Sequence, residues 1–433
     1  MYDALVQRDP DGEENLPEPV RRDLPGNGLR LVSANALQAS GDQIVGASTV
    51  LPWLFHTLGV PAGLTGLLVP IRESGSMLPQ ALLTPVVLRV RRRSLVFVAG
   101  AVVQAVAVGA MALTAAVGRG LGAGIAVLAA LAVFSLGRSL CSIASKDVQG
   151  RTVPKGQRGQ INGLSTTAAG IVAITLGLVL RVLADGELTA GQLAWLLAAG
   201  AVLWVLAALT YLRIREPAPP PDDAGAGPSD GWFRDAITLL REDVPFRRFV
   251  GVRSLLLVSS LSPPFLVSLA VQSGAGALSG LGGFIVASGL SRLVGGPLFG
   301  RVADRSSRTL MAVGAAVASV VLALVVVLTL LPGFDGGTVA GTVLLVGSYF
   351  VVTLVHTGVR MGRKTYVVDM AEGDLRTRYV AVSNSAMGVI LLVVGGVSAL
   401  LATAGTVWAL VFLAALGAVG VLASLRLPDV SAG

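Results

Sequence analysis

The sequence predicts an all-α membrane protein with about twelve transmembrane helices in two six-helix bundles. Charged residues make up only 13% of the 433 positions, whereas soluble proteins carry about a quarter. The mean hydropathy is correspondingly high, at +0.76. Apolar runs of about 18 residues or more recur along the whole chain, and this is the length that a helix needs to cross a bilayer. The runs lack the alternation of β-barrel strands, so helices are the predicted spanning element.

Charged breaks between the apolar runs define the predicted spans. In the first half the spans are residues 31–58, 63–88, 94–117, 121–145, 161–182 and 190–213. In the second half they are residues 248–272, 278–300, 309–332, 338–362, 379–403 and 405–426. We therefore predict bundles over 31–213 and 248–426. Residues 1–30 and 427–433 are tails; the first has no signal-type apolar core and is expected to be cytoplasmic and partly disordered.

Residues 214–247 form the long break between the predicted bundles. From Glu216 the sequence reads EPAPPPDDAGAGP, which is the composition of a flexible linker. Residues 232–241 then show an amphipathic pattern, which predicts a short helix on the inner membrane surface.

Basic residues are concentrated in alternate loops, and this sets the predicted orientation. The basic loops contain Arg89, Arg91, Arg92 and Arg93; Lys146, Arg151, Lys155 and Arg158; Arg301, Arg305 and Arg308; and Arg363, Lys364, Arg376 and Arg378. Such loops remain in the cytoplasm, so both termini are expected there, in a multi-pass protein of a cell membrane such as a bacterial inner membrane. The same distribution explains the formal charge of +8 without a nucleic-acid partner.

A constant offset relates residues of the two halves. The corresponding positions are Lys146 and Lys364, Arg158 and Arg376, and the segments Ser165–Gly170 and Ser383–Gly388. Each segment is a charged loop that continues into a helix rich in small residues. The pattern indicates a duplicated six-helix unit.

The segment from Gly300 to Arg308 reads GRVADRSSR and separates two predicted spans. It resembles the G-x-x-x-D-R-x-G-R loop signature of the major facilitator superfamily, with Ser307 replacing the second glycine. The resemblance implies two six-helix bundles that move a solute by alternating access. It also implies that Asp304 helps to latch the halves, while Arg305 and Arg308 hold the loop on the cytoplasmic side.

A second copy of the signature lies at Pro85–Arg93 and reads PVVLRVRRR. Pro85 replaces the glycine and Arg89 replaces the acid, so only the basic end is retained. We therefore expect the first-half latch to be absent or to be made differently.

Ionisable groups inside a span are costly and usually face a partner or a wet cavity. Asn35, Gln38 and Asp42 lie on one face of the first predicted span. The resemblance places this face toward a central cavity; the alternative is a polar seam against another helix. Arg72 and Glu73 interrupt the second span, and Arg72 could pair with Asp42. Either carboxylate could carry a proton, or the charges could form only structural ion pairs.

Three further spans contain basic residues. Arg138, in the fourth span, resembles the arginine motif of proton-coupled superfamily members, although it could instead extend toward the inner interface. Arg292 is the clearest intramembrane charge of the second half. Arg253 and Arg360 lie nearer the cytoplasmic ends, where the same extension is expected. For His356 a helix contact is favoured over a proton relay.

These features predict a secondary active transporter for a small solute, coupled to protons and working as a monomer in the lipid bilayer. The basic residues in the spans favour an anionic or carboxylate-bearing substrate. Multidrug/proton efflux is the alternative, although the fifth span lacks the glycine-proline motif of drug exporters. A sensor or enzyme on this scaffold is a remote alternative. One cysteine and two histidines offer no metal cluster, and no phosphate-binding loop sequence occurs, so no cofactor is predicted.

Overall fold

The computed structural model of the chain describes residues 13, 18–183, 188–217, 232–274, 281–370 and 373–428, and none of these lies in a β-strand. The first half contains α1 (Glu18–Ile44), α2 (Val50–Thr57), α3 (Ala62–Thr65), α4 (Leu68–Arg89), α5 (Arg93–Val117), α6 (Gly120–Thr152), α7 (Lys155–Leu183) and α8 (Ala190–Leu212). The remainder contains α9 (Trp232–Glu242), α10 (Val244–Leu255), α11 (Val258–Leu261), α12 (Pro263–Gln272), α13 (Leu281–Arg305), α14 (Ser307–Thr329), α15 (Val339–Asp369), α16 (Gly373–Thr403) and α17 (Thr406–Ser424).

Every predicted span coincides with at least one of these helices. Within the described part of the chain, eight segments are long and apolar enough to cross a membrane: α5, α6, α8, the segment from α10 to α12, and α14 to α17. Helices α7 and α13 contain the shorter apolar stretches Gly170–Val179 and Leu281–Gly295. The predicted all-α, multi-pass membrane fold is confirmed, and the exact number of spans remains a prediction.

Three predicted spans are interrupted rather than continuous. The first divides into α1 and α2, the second into α3 and α4, and the seventh into α10, α11 and α12. Proline marks one of the restarts, because Pro263 is the first residue of α12, and a helix start does not need its missing N–H. At Gly46, between α1 and α2, a β-carbon would collide with Thr49 Oγ1.

Helix α1 begins at Glu18, so the expectation of a partly disordered tail is wrong for residues 18–30. Leu24 and Leu31 are fully buried, and the Asn27 side chain bonds to the backbone of Arg215 at the end of α8. These tertiary contacts stabilise a polar segment that its composition alone would leave unfolded. Residues 1–12 and 14–17 lie outside the described part.

Helix α9 confirms the predicted helix that follows the linker. The Pro-rich residues 218–231 lie outside the described part of the chain. The placement of α9 on the inner membrane surface stays a prediction.

The two bundles meet through helix pairs that approach closely at glycines. A β-carbon on Gly170 of α7 would lie 2.8 Å from Leu293 of α13, and one on Gly177 would lie 2.6 Å from Val286. These two glycines therefore allow α7 to pack closely against a helix of the other bundle. Helices α4 and α16 form the second such pair.

One end of the interface between the bundles is closed around α3. A β-carbon on Gly63 would lie 2.6 Å from Thr403 Cγ2, and one on Gly66 would lie 2.8 Å from the Ala399 backbone. At the opposite end, which carries the basic loops, Lys146 and Lys364 are exposed and interact electrostatically across the two halves. The bundles are therefore in close contact near α3, and the space between them in which Arg292 and Arg360 are exposed is called the cleft.

Candidate functional site

Asp42 lies at the centre of an ion-pair cluster that joins three helices of the first bundle. Its side chain is 10% exposed, and its Oδ1 is 3.1 Å from Nη2 of Arg72 on α4. Its Oδ2 accepts a hydrogen bond from Nη1 of Arg138 on α6. The predicted Arg72–Asp42 pair is thus confirmed. Arg138 points at Asp42 rather than toward the interface, a contact that the sequence did not predict.

Gln43, next to Asp42, connects this cluster to the second bundle. The hydrogen-bond network assigns the amide so that its oxygen accepts from Arg292 Nε at 3.2 Å and from Nη1 at 2.6 Å. Its nitrogen then donates to Ser288 Oγ at 3.3 Å. Gln43 is buried, whereas Arg292 is exposed although it lies between the bundles, so Arg292 faces the cleft. Sequence reasoning did not include Gln43 among the site residues.

Glu73 follows Arg72 directly but points elsewhere, as the helix geometry predicts. Among the ion pairs of the described residues, none includes the Glu73 carboxylate. Glu73 is half-buried and interacts electrostatically with Arg138 and with Arg363 of the second bundle. It is therefore a carboxylate near both halves that forms no ion pair with a described residue.

Asn35 and Gln38 are half-buried on the same face of α1 as Asp42. Their spacing places Gln38 about one turn and Asn35 about two turns from the carboxylate, toward the basic-loop end. Their predicted role in a solute pathway stays a prediction.

The second bundle presents a group of bases to the cleft. Arg292 interacts electrostatically with Arg360, and Lys364 does so with Arg360 and Arg363. Arg360 and Lys364 are exposed. The carboxylates that form ion pairs in the described part of the chain, Asp23, Asp42 and Asp147, all belong to the first half.

Arg253 does not extend to the interface as expected. Its Nη1 donates to Ser383 Oγ at 2.9 Å, and its Nη2 donates to Asn384 Oδ1 at 3.0 Å. The expectation that Arg253 extends toward the inner interface is therefore wrong, because α16 provides hydrogen-bond acceptors within the bundle.

The duplication places a neutral pair where the first half has a charged one. At the offset that relates Lys146 to Lys364, His356 corresponds to Arg138. His356 Nδ1 lies 3.2 Å from Ser259 Oγ, which is the helix contact favoured from the sequence. Ser259 is within one residue of the position equivalent to Asp42. The second half thus has a polar contact at this position, between His356 and Ser259, but no residue equivalent to the Asp42 carboxylate.

The loop signature lies at the end of α13 and the start of α14. Ser306 caps α14 by accepting a hydrogen bond from Thr309 N at 3.2 Å. Arg308 Nη1 donates to the Leu427 carbonyl at 3.0 Å, which ties the loop to the end of α17. The side chains of Asp304 and Arg305 and the environment of Gly300 lie outside the described part. The latch between the halves, expected at Asp304, therefore stays a prediction.

The degraded first-half copy is held by acids from elsewhere in the first bundle. Arg93 Nε donates to Asp147 Oδ2 at 2.8 Å, and the Glu216 carboxylate accepts from the backbone N–H of Ser94 at 2.5 Å. Asp147 also pairs with Arg151, so its contacts lie within the first half. Whether the first-half latch is absent or made differently stays a prediction.

Comparison with known proteins places this geometry among membrane transporters. The family model described as "Major Facilitator Superfamily" matches residues 31–334. A mutant of the nucleoside transporter NupG shares the fold with a TM-score of 0.71 and 15% identity, covering 92% of this chain and 99% of that one. The D-xylose-proton symporter shares it with a TM-score of 0.72 and 12% identity, covering 94% of this chain and 99% of that one. For a POT family transporter in complex with a thioalcohol-conjugated peptide, the TM-score is 0.70 and the identity 13%, covering 96% of this chain and 98% of that one. Curated protein sequences gave no match.

Proposed function

Since the chain belongs to the major facilitator superfamily, we propose that it is a secondary active transporter for a small anionic solute. The solute would bind in the cleft between the bundles and would move together with, or in exchange for, protons. The observation that carries the anionic preference is Arg292, a cation that is exposed to the cleft, binds a neutral amide, lies near other bases and forms no ion pair with the described residues.

The distribution of charge supports an anion more than a cation. In the first bundle Arg72 and Arg138 share Asp42, so their charges are partly compensated. In the second bundle Arg292 and Arg360 interact with each other and have no ion-pair partner among the described residues. Bringing like charges close together costs free energy, even where the groups are exposed. A carboxylate between these guanidinium groups would remove that cost and form charge-assisted hydrogen bonds.

Gln43 offers a way for the anion to act on the interface between the bundles. Without solute, its amide oxygen occupies the donors of Arg292 and links α1 to α13. A carboxylate forms stronger hydrogen bonds with guanidinium than an amide does. An entering anion would therefore displace the Gln43 amide from Arg292. This would break a contact between α1 and α13, so that solute binding is coupled to movement of the bundles.

Glu73 suits the proton-carrying role better than Asp42 does. Protonation of Asp42 would leave Arg72 and Arg138 without their shared counter-charge. Glu73 has no ion pair among the described residues and lies near bases of both bundles. It can therefore change its protonation state without breaking the central cluster.

A thermal-shift screen of the purified protein tests the anionic preference. Pools of carboxylates, phosphorylated metabolites and lipophilic cations are compared at two pH values. A ligand at a hundredfold excess over its Kd adds about 2.7 kcal/mol of stability, which is measurable. We expect a carboxylate or another small anion to stabilise the protein, and Arg292→Lys to weaken its binding by about tenfold or more, because the bidentate contact is lost.

Arg253→Lys is the matched control, because Arg253 is engaged by α16 rather than by the cleft. It is expected to change the solute affinity little. Stabilisation by lipophilic cations alone, lost on neutralising Asp42 or Glu73, would contradict the proposal and indicate drug efflux.

A further inference from the structure

The first and last helices of the second bundle leave a groove on the outside of the protein. It lies where α10 begins and α17 ends, and its volume is about 490 Å³. Its lining includes Arg248, Gly251, Val252, Leu255, Arg426 and Leu427. Apolar side chains thus form the floor, and a guanidinium group stands on each side.

Two glycines determine where the groove opens. A β-carbon on Gly420 of α17 would lie 3.1 Å from the backbone of Leu255, so the helices touch at this level. Near the membrane surface, a β-carbon on Gly251 would meet no atom within 4 Å. The two helices therefore diverge toward the basic-loop end, and the groove occupies the space between them.

The two arginines of the groove have no protein partner among the described residues. Arg248 and Arg426 are exposed, and their guanidinium groups take part in none of the hydrogen bonds or ion pairs of the described chain. Val252 and Leu427, between them, are 6% and 4% exposed. A cationic rim above an apolar floor complements a molecule with an anionic head and an apolar tail.

At the corresponding end of the first bundle, the first and last helices are joined by hydrogen bonds. There α1 and α8 are the first and last helices, and Asn27 binds the Arg215 backbone through two hydrogen bonds of 2.8 and 3.0 Å. Deeper along the same pair, Gly41 packs against Trp204, whose ring would be 2.8 Å from an added β-carbon. This end of the helix pair is thus bridged by hydrogen bonds in the first half, whereas a groove lies between α10 and α17 in the second.

We propose that the groove between α10 and α17 binds one anionic phospholipid. Arg248 and Arg426 hold the head-group phosphate, and an acyl chain lies along Gly251, Val252 and Leu255. The site is distinct from the solute cleft, so it is independent of the proposed transport activity.

Native mass spectrometry of the full-length protein in detergent, with titrated dioleoylphosphatidylglycerol or dioleoylphosphatidylcholine, tests the proposal. Phosphatidylglycerol should bind one tight site more strongly than phosphatidylcholine does. Arg426→Gln should weaken this binding about fivefold, because an arginine near the surface contributes roughly that factor toward anionic lipid. Gly251→Leu should weaken it by about tenfold or more, because the leucine side chain occupies the acyl-chain volume.

Two matched variants control for general effects. Arg213→Gln removes an exposed arginine at the end of α8, the helix equivalent to α17. Gly109→Leu adds the same side chain at a position of α5 where a β-carbon also meets no atom within 4 Å. Both should leave the tight site unchanged. Equal binding of the two lipids, unchanged binding in both groove variants, or full competition by free glycerol phosphate would overturn the proposal.

Discussion

Among single residues, Asp42 and Glu73 show how two nearby carboxylates acquire different roles from their surroundings. Asp42 is buried between two arginines, whereas Glu73 has no ion pair among the described residues. The Arg72–Asp42 contact was predictable because both residues are polar interruptions of consecutive spans. The Arg138–Asp42 and Gln43–Arg292 contacts were not, since they depend on how distant helices are placed in space.

Asp42→Asn should destabilise the protein by about 3 kcal/mol, because it leaves two half-buried guanidinium groups without their shared counter-charge. Thermal unfolding in detergent measures this effect. The matched variant Glu73→Gln should unfold close to the wild-type temperature. Equal stability of the two variants would show that the cluster around Asp42 does not hold the first bundle together.

Glu73→Gln should instead remove the response of transport to a pH gradient while solute exchange continues, because the proposed proton carrier can no longer ionise. Proteoliposomes with an imposed pH gradient, compared with solute counterflow without one, separate the two activities. If accumulation driven by the pH gradient survives in this variant, a group other than Glu73 carries the proton.

Among the elements, hydropathy predicted the positions of the spans and of α9 but missed the helix breaks. The breaks contain apolar residues such as Val45, Leu256 and Leu257, all buried, so they do not interrupt the apolar runs. The helical tail at residues 18–30 was missed for the opposite reason, since its polar and Pro-containing sequence is stabilised by contacts with a distant helix.

Gly177→Leu should disturb the contact between α7 and α13, because a β-carbon there already meets Val286 at 2.6 Å and the Gly282 carbonyl at 2.8 Å. Overpacking of this kind costs about 1–3 kcal/mol, which thermal unfolding in detergent resolves. Gly109→Leu, at the uncrowded site on α5, provides the control. Equal unfolding temperatures for the two variants would contradict the close inter-bundle approach.

At the level of the whole molecule, the two duplicated bundles have diverged in charge. The first contains the ion-paired acids of the described chain, and the second presents bases to the cleft. The sequence indicated both the duplication and the excess of bases. It could not show that Arg292 meets an amide of the other bundle, because that contact depends on the relative placement of the halves.

The most direct test of the central claim is uptake of the best stabilising anion into proteoliposomes that contain the full-length protein. The wild type should accumulate the anion under a pH gradient. Arg292→Lys should lower the initial rate at subsaturating solute by about tenfold or more, and Arg253→Lys should change it little. Unchanged uptake in Arg292→Lys, or transport of lipophilic cations without any anion, would contradict an anion pathway between the two bundles.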